Sequence, residues 1–366
     1  MKTRIPLLDL NRQHAPIRSQ IDEAIRKVVD STGFILGPEV KSFESAFASY
    51  IGVPHGVGCA SGTDALYLAL KALGIGPGDE VITVSYTFMA TVGAIERTGA
   101  TPVLVDIEPE TFTIDTSLVE EAVTERTRAI IPVHLYGQAA DMDEIMRIAA
   151  GNGIAVIEDC AQAHGAKWKG HKIGTFGTIA AFSFFPSKNL GAFGDAGICV
   201  TSDQVLADKM TRIRIHGRGN KNESFEKGDN SRPDTIQFAV LGVKLPHLDA
   251  WNASRQEVAR WYNDRLSGSD RYVTPKVGEH REHVYHLYVV QSRERDALCK
   301  RLDEAGIAWG VHYAMPVHLM KGFANLGYQK GAMPVSEGMC GEIISLPLFP
   351  GMTEAEVDEV VKVLLA

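Results

Sequence analysis

Residues 81–107 read VITVSYTFMATVGAIERTGATPVLVDI. Two apolar runs, Val81–Val84 and Val103–Ile107, flank Phe88–Arg97, whose apolar residues recur at helical spacing. The apolar runs are continuous and do not alternate with polar residues, which suits strands covered on both faces. Strand, helix and strand in so short a span make a parallel pair joined by a right-handed crossover.

The same alternation extends from about residue 55 to 205. Further strands are expected at Ala129–Val133, Ile154–Ile157, Ala180–Phe184 and Ile198–Thr201. Helical patterns fall at Thr63–Leu73, Ser117–Glu125 and Asp141–Ala150. In the first of these Leu66, Leu70 and Leu73 mark one stripe. The expectation is an α/β fold whose large domain is a mostly parallel sheet flanked by helices.

Residues 217–232, GRGNKNESFEKGDNSR, read as a long polar loop, a kind that is usually functional or disordered. A long helix follows at Leu248–Leu266. The pattern then changes to a strand at Tyr285–Val290, a helix at Arg295–Glu304 and a strand or turn at Trp309–Tyr313. Thr353 and Glu356 stand in capping-box spacing before the last helix. These shifts predict a boundary near Pro246, with residues 1–245 a large domain and 246–366 a smaller C-terminal α+β domain.

Composition removes several function classes. The chain has 366 residues, 45% hydrophobic and 22% charged, which is ordinary for a globular protein. With 37 basic and 45 acidic residues the net charge is −8, so a general nucleic-acid surface is not expected. One small phosphorylated ligand remains compatible, because a few local donors suffice to hold it. Five cysteines, none in a CxxC pair, point to reduced thiols in a cytoplasmic protein. The opening residues MKTRIPLLDLNRQHAP hold no apolar core of signal-peptide length, and no run nears the ~18 apolar residues of a membrane helix, so no membrane span is expected. Glycine is in excess, 35 of 366 against a usual ~7%.

Three motifs offer chemistry. In Ser61-Gly62-Thr63-Asp64-Ala65-Leu66 a small polar turn enters a helix. Such a start can bind an anion, or its Ser, Thr and Asp can be ordinary caps. In Val156-Ile157-Glu158-Asp159-Cys160 an apolar strand ends on two acids, at the edge where α/β ligands bind. An acid there can ligate a metal, bind ribose, protonate a ring nitrogen or form a turn. In the third, Lys188 follows a buried strand, a hydroxyl (Ser183) and an aromatic-Pro turn, with a glycine-rich loop after it. Most lysines are solvated charges, but an apolar setting depresses the amine's pKa and makes it a nucleophile.

Two patterns are set aside. Gly74-Ile75-Gly76-Pro77-Gly78 precedes a strand instead of following one, so it reads as a helix stop and turn and not as a dinucleotide loop. His280, His283 and His286 are spaced by three but lie in a strand or loop without paired acids, and no metal is expected there.

Together the segments SGTDAL, SYTFMATVGAI, PVHLYGQAADMDEI, VIEDCAQAHGA, FSFFPSKNLGAFGDAG, NSRPDTIQ, HYAMPVHL and SLPLFP resemble the DegT/DnrJ/EryC1/StrS sugar aminotransferases. The resemblance runs from about Asp9 to Pro350, in the family's order and spacing. It implies a fold-type I enzyme dependent on pyridoxal 5′-phosphate. By this resemblance Lys188 is the Schiff-base lysine and Asp159 the partner of the pyridine nitrogen. Gln162 matches the residue beside the phenolic oxygen, and Phe88 the aromatic stacked on the ring. Gly62, Thr63 and Ser183 match the phosphate cup. Asn230 matches a residue reaching the phosphate from the neighbouring subunit, which implies a homodimer with shared sites. Arg232, His312 and Tyr313 match positions near the sugar nucleotide. The family's usual Arg-Leu-Asp is here Arg232-Pro233-Asp234, and proline confines Arg232 toward extended geometry.

The implied reaction is transamination of a nucleotide-linked keto-deoxysugar, with L-glutamate as amino donor, in amino-sugar biosynthesis for surface polysaccharide or glycosylated metabolites. The stretch from Phe185 to Gly197 resembles members that aminate carbon 3. A dTDP-3-keto-6-deoxyhexose is therefore favoured, ahead of UDP-linked 3-keto or 4-keto sugars. A dehydratase of the same fold carries histidine in place of the lysine, and a non-catalytic regulator is the rival from another class.

Overall fold

The structure, a computed structural model, describes residues 4–220 and 222–366. Met1–Thr3, at the start of the expected large domain, and Lys221, within the long polar loop, lie outside them.

In chain order the strands are β1 (His55–Cys59), β2 (Glu80–Val84), β3 (Thr101–Val105), β4 (Thr127–Ile131), β5 (Ala155–Asp159), β6 (Lys167–Trp168), β7 (His171–Lys172), β8 (Ile179–Ser183), β9 (Gly197–Thr201), β10 (Arg281–Glu282), β11 (Tyr288–Gln291) and β12 (Ile343–Leu346). Seven of them form the main sheet, ordered β1-β9-β8-β5-β4-β2-β3. β3, β2, β4, β5 and β8 pair in parallel. β9 runs antiparallel to both β8 and β1.

Alternate residues of each strand feed opposite cores, as a two-residue period requires. Val156, Ala180 and Phe182 face one core, where Phe43, Phe47, Phe182 and Phe184 meet edge to face. Ile157, Ile131 and Ala181 face the other, against the helix Gly62–Ala72. That helix buries Leu66, Leu68 and Leu70 alike, so more than the expected stripe is covered. It is wedged between the sheet and the helices Ala90–Thr98 and Gln204–Ile213.

β1 is absent from the sequence reading. Its HGVGC composition lacks the apolar run that marks the other strands. The glycines answer to packing: a Cβ on Gly58 would lie 2.5 Å from the Phe238 ring. The expected helix at Phe88–Arg97 starts at Ala90, leaving Phe88 and Met89 in the preceding turn. Gly74 and Gly78 adopt positive φ, and the Gly74 N–H donates to the Lys71 carbonyl, so this stretch is a helix stop.

The C-terminal part packs helices Leu248–Leu266, Arg295–Ala305 and Glu354–Leu365 around the antiparallel pair β11–β12. The strand expected at Tyr285–Val290 is Tyr288–Gln291, and Tyr285 has a φ of +44° that no strand accommodates. Trp309–Tyr313 contributes a single bridge, Gly310 to Ser345. The capping box at Thr353 and Glu356 forms. Ile5 pairs with Ile307 and packs in this C-terminal core, so the chain's start returns to its end. Among the described residues no helix is long and apolar enough to cross a membrane.

Candidate active site

The candidate residues gather at the carboxyl edge of β5 and β8, where an α/β sheet leaves room for a ligand. β5 ends on the two acids, and the strand turns them to different tasks. Both Glu158 oxygens are taken: Oε1 accepts from the Phe176 and Gly177 N–H groups, and Oε2 from Gly174 N–H and His134 Nε2. His134 Nδ1 accepts from Ala140 N–H at 3.0 Å, so its proton sits on Nε2 and points at Glu158. Glu158, His134 and Cys160 lie close enough to suggest a metal, yet the carboxylate and the imidazole are both spent on hydrogen bonds that brace the strand end.

Asp159 carries fewer such bonds, one to each carboxylate oxygen. Its Oδ2 accepts from the Thr91 hydroxyl at 2.8 Å, and its Oδ1 from Ala161 N–H at 3.1 Å. Burial pushes its carboxyl up from the ordinary value, while these bonds and the Lys188 charge oppose that. Lys188 follows β8 by one turn, closed by its N–H on the Phe185 carbonyl at 2.8 Å. Burial pulls its amine down to about 8, with Asp159 resisting. A neutral amine is therefore accessible near neutral pH.

Five residues before Lys188, Ser183 ends β8 beside the helix starting at Gly62. A Cβ on Gly62 would meet the Ser183 Cβ at 2.5 Å, so only glycine lets the two backbones approach. Ser61 caps the helix by accepting from Asp64 N–H at 3.1 Å. The first-turn N–H groups of Gly62 and Thr63 have no helical acceptor by position, and with the helix dipole they are donors suited to an anion.

Phe88 stands 51% exposed, a large aromatic with one ring neighbour, Tyr313, 6.0 Å away. Gln162 is buried; its Oε1 accepts from Tyr136 N–H at 2.8 Å and its Nε2 donates to the Tyr313 hydroxyl at 3.0 Å. Tyr313 and His312 arrive from the C-terminal part. The Tyr313 N–H donates to the Tyr86 hydroxyl at 3.0 Å, and His312 Nδ1 bonds Ser345 Oγ at 2.8 Å. Burial and the nearby Lys188 lower the His312 imidazole's pKa.

A model of the DegT/DnrJ/EryC1/StrS aminotransferase family matches residues 16–365. The chain belongs to that family.

A pleiotropic regulatory protein of Geobacillus stearothermophilus is 49% identical to this family member, over 98% of this chain and 97% of the relative. The dTDP-3-amino-3,4,6-trideoxy-alpha-D-glucose transaminase of Streptomyces venezuelae is 44% identical, over 98% and 94%. The crystal structure of S. venezuelae DesV in complex with a ketimine intermediate superposes with a TM-score of 0.97 at 43% identity, covering 100% of this chain and 98% of that one.

In this aminotransferase-family chain Asn230 and Arg232 make, among the described residues, no hydrogen bond to the other candidates. Arg232 Nε donates to Asn230 Oδ1 at 2.9 Å, and Asn230 is exposed. The Ser231 carbonyl between them accepts from Ala60 N–H at 3.1 Å, which runs the segment past the chain just before the helix starting at Gly62. The three spaced histidines do not converge. His283 stacks on Tyr285 at 4.0 Å, His286 bonds Asn189 at 3.3 Å, and His280 lies beside Trp168.

Sequence reasoning missed Thr91, Tyr86 and Tyr136. The Tyr86 and Tyr136 hydroxyls both reach the His312 carbonyl. Nothing local marks these residues, since their partners lie far along the chain.

Proposed function

We propose that this family member is a pyridoxal-phosphate-dependent aminotransferase that converts a nucleotide-linked 3-keto-6-deoxyhexose, dTDP-linked by preference, to the 3-amino sugar, with L-glutamate as amino donor. The observation that carries the reading is one buried acid, Asp159, and one amine of depressed pKa, Lys188, near enough to influence each other, with Lys188 just after the strand end that packs on Gly62. The similarity to the dTDP-sugar transaminase of S. venezuelae supports the substrate class.

The residues fit the cofactor. The first-turn N–H groups of Gly62 and Thr63, with Ser183 packed directly against Gly62, suit a phosphate. Phe88, exposed in a turn, offers a face to an aromatic ring. Asp159 is an acceptor for a ring N–H, and Gln162 lies beside it as a donor to an oxygen. Pyridoxal phosphate supplies an electron sink. Lys188 holds the cofactor covalently and, when free, takes the α-carbon proton of the amino donor as general base. Asp159, ionised, keeps the proton on the ring nitrogen. Phe88 holds the ring plane and excludes water. His312, Tyr313 and Arg232 contact the sugar nucleotide.

The same reading makes the protein a cytoplasmic homodimer with shared sites, in which Asn230 reaches the partner's phosphate. Phe34, Ile35 and Leu36 are 46%, 49% and 38% exposed, and Ile35 bridges to Asp234, beside the Asn230–Arg232 segment. An exposed apolar stretch of this kind suits burial against a second copy. The reading also divides the chain at residue 245, with Ile5 packed in the C-terminal part.

The purified protein mixed with pyridoxal phosphate should show an absorbance band at roughly 400–430 nm; no band overturns the reading. The NMR spectrum of the product formed with glutamate then assigns the aminated carbon, with UDP-linked 3-keto sugar run in parallel. The regulatory name of one relative favours a second reading, regulation without turnover. Retained Lys188, Asp159 and Gln162 support catalysis, and a band with no turnover of any keto sugar would favour regulation.

A further inference from the structure

Thr91 lies in the first turn of the helix Ala90–Thr98 and is 1% exposed. Its hydroxyl oxygen is 2.8 Å from Asp159 Oδ2, 3.1 Å from Thr87 Oγ1 and 3.2 Å from the Phe88 carbonyl. A hydroxyl has one proton to give. The carboxylate is both the charged acceptor and the nearest, so the Thr91 proton goes to it. Thr87, 2% exposed, then donates to the Thr91 oxygen, and the two hydroxyls polarise each other toward the acid. The Thr91 N–H also donates to the Phe88 carbonyl at 3.1 Å. One residue thus joins the turn that carries Phe88 to the carboxylate of Asp159.

Resting on the cofactor reading above, we propose that Thr91, backed by Thr87, is a positioning residue that aims the Asp159 carboxylate at the cofactor's ring nitrogen and holds it in register with Phe88. Thr91 acts on the cofactor only through Asp159. Burial drives the Asp159 carboxyl up, and the Thr91 hydrogen bond is the largest opposing influence. Without that hydroxyl the acid takes up a proton at higher pH and accepts the ring N–H less well. A less protonated ring withdraws fewer electrons, so the nitrogen joining cofactor to lysine becomes more basic.

The test is Thr91→Val, which keeps the shape and removes the hydroxyl, with Thr91→Ser as rescue. Two readouts apply to the holoprotein: the dissociation constant for pyridoxal phosphate, and the pH at which the visible band of the bound cofactor changes. Thr91→Val should weaken binding roughly tenfold and move that pH up by about one unit. Thr91→Ser should restore both. Thr87→Val should shift both the same way by less, which keeps the measurement decisive if Thr91→Val folds poorly. Wild-type affinity and pH profile in either valine variant overturn the proposal. Asp159→Asn separates the two readings. If it behaves as wild type, the assignment of Asp159 fails and this proposal with it. If it is perturbed while Thr91→Val is not, this proposal alone fails.

Discussion

Lys188 and Gly62 show how much one position can decide. The Lys188 amine titrates at about 8 because burial penalises its charge more than Asp159 supports it. Only the neutral amine attacks an aldehyde. Uptake of pyridoxal phosphate by the cofactor-free protein should therefore accelerate as pH rises, half-maximally near 8; a stopped-flow absorbance profile flat from pH 6 to 9 would contradict this. Lys188→Ala should lower transamination roughly a thousandfold, measured with glutamate and keto sugar. At Gly62 the limit is steric. Alanine would place a Cβ 2.5 Å from that of Ser183, and the two backbones must move apart. Gly62→Ala should weaken pyridoxal phosphate binding roughly tenfold to a hundredfold, read by equilibrium titration, with the fold retained.

At the scale of elements, caps and strand ends place the groups. The last helix begins with a reciprocal pair: Thr353 Oγ1 accepts from Glu356 N–H at 3.3 Å, and Glu356 accepts from Thr353 N–H at 2.8 Å. Arg12 adds a two-pronged contact at 2.8 and 2.7 Å that ties the chain's first helix to its last. Arg12 and the cap hold the Glu356 carboxyl down at about 2, against a burial effect in the other direction. A depressed carboxyl contributes stability above its unfolded value of 4.5 and loses it as pH falls toward 2. Glu356→Gln should cost about 1 kcal/mol at pH 7 and much less at pH 2, by denaturant titration at each pH. The strand end of β5 teaches a different lesson. Glu158 and Asp159 are indistinguishable as a dipeptide. The loop Gly174–Gly177 brings three N–H groups to Glu158 alone, and that choice is made outside the motif.

At the scale of the whole molecule, the site is a meeting of distant segments. Tyr313 and His312 come from the C-terminal part, Asp159 and Lys188 from the sheet, and Asn230 lies exposed on the long loop. If Asn230 serves the partner's site, two defective chains should complement. A mixture of Lys188→Ala and Asn230→Ala subunits, dissociated and reassembled, should be more active than either alone, because each mixed dimer rebuilds one intact site. If the proposed dimer buries this stretch, Ile35→Glu with Leu36→Glu should shift the protein toward monomer in sedimentation and lower its cofactor affinity. Unchanged sedimentation would remove those residues from the interface.

Much of this was legible beforehand because it is written in consecutive residues. Periodicity marked the βαβ unit at 81–107, the helix Leu248–Leu266 and the final capping box, since apolar spacing and caps act within a few residues. The resemblance carried by the eight motifs singled out Asp159, Lys188 and the turn at Gly62. The strand β1 was not legible, because its glycines answer to Phe238, far away in the chain. Nor were the N–H groups that hold Glu158, or the grip of Thr91 on Asp159. Sequence alone determined the alternation of strands and helices, because local propensity and hydrophobic pattern are set by neighbours in the chain, and its resemblance to the family named the candidate residues. Only the tertiary structure decided how each acid is held and how far Lys188 is desolvated, because burial and hydrogen bonding depend on what lies close in space.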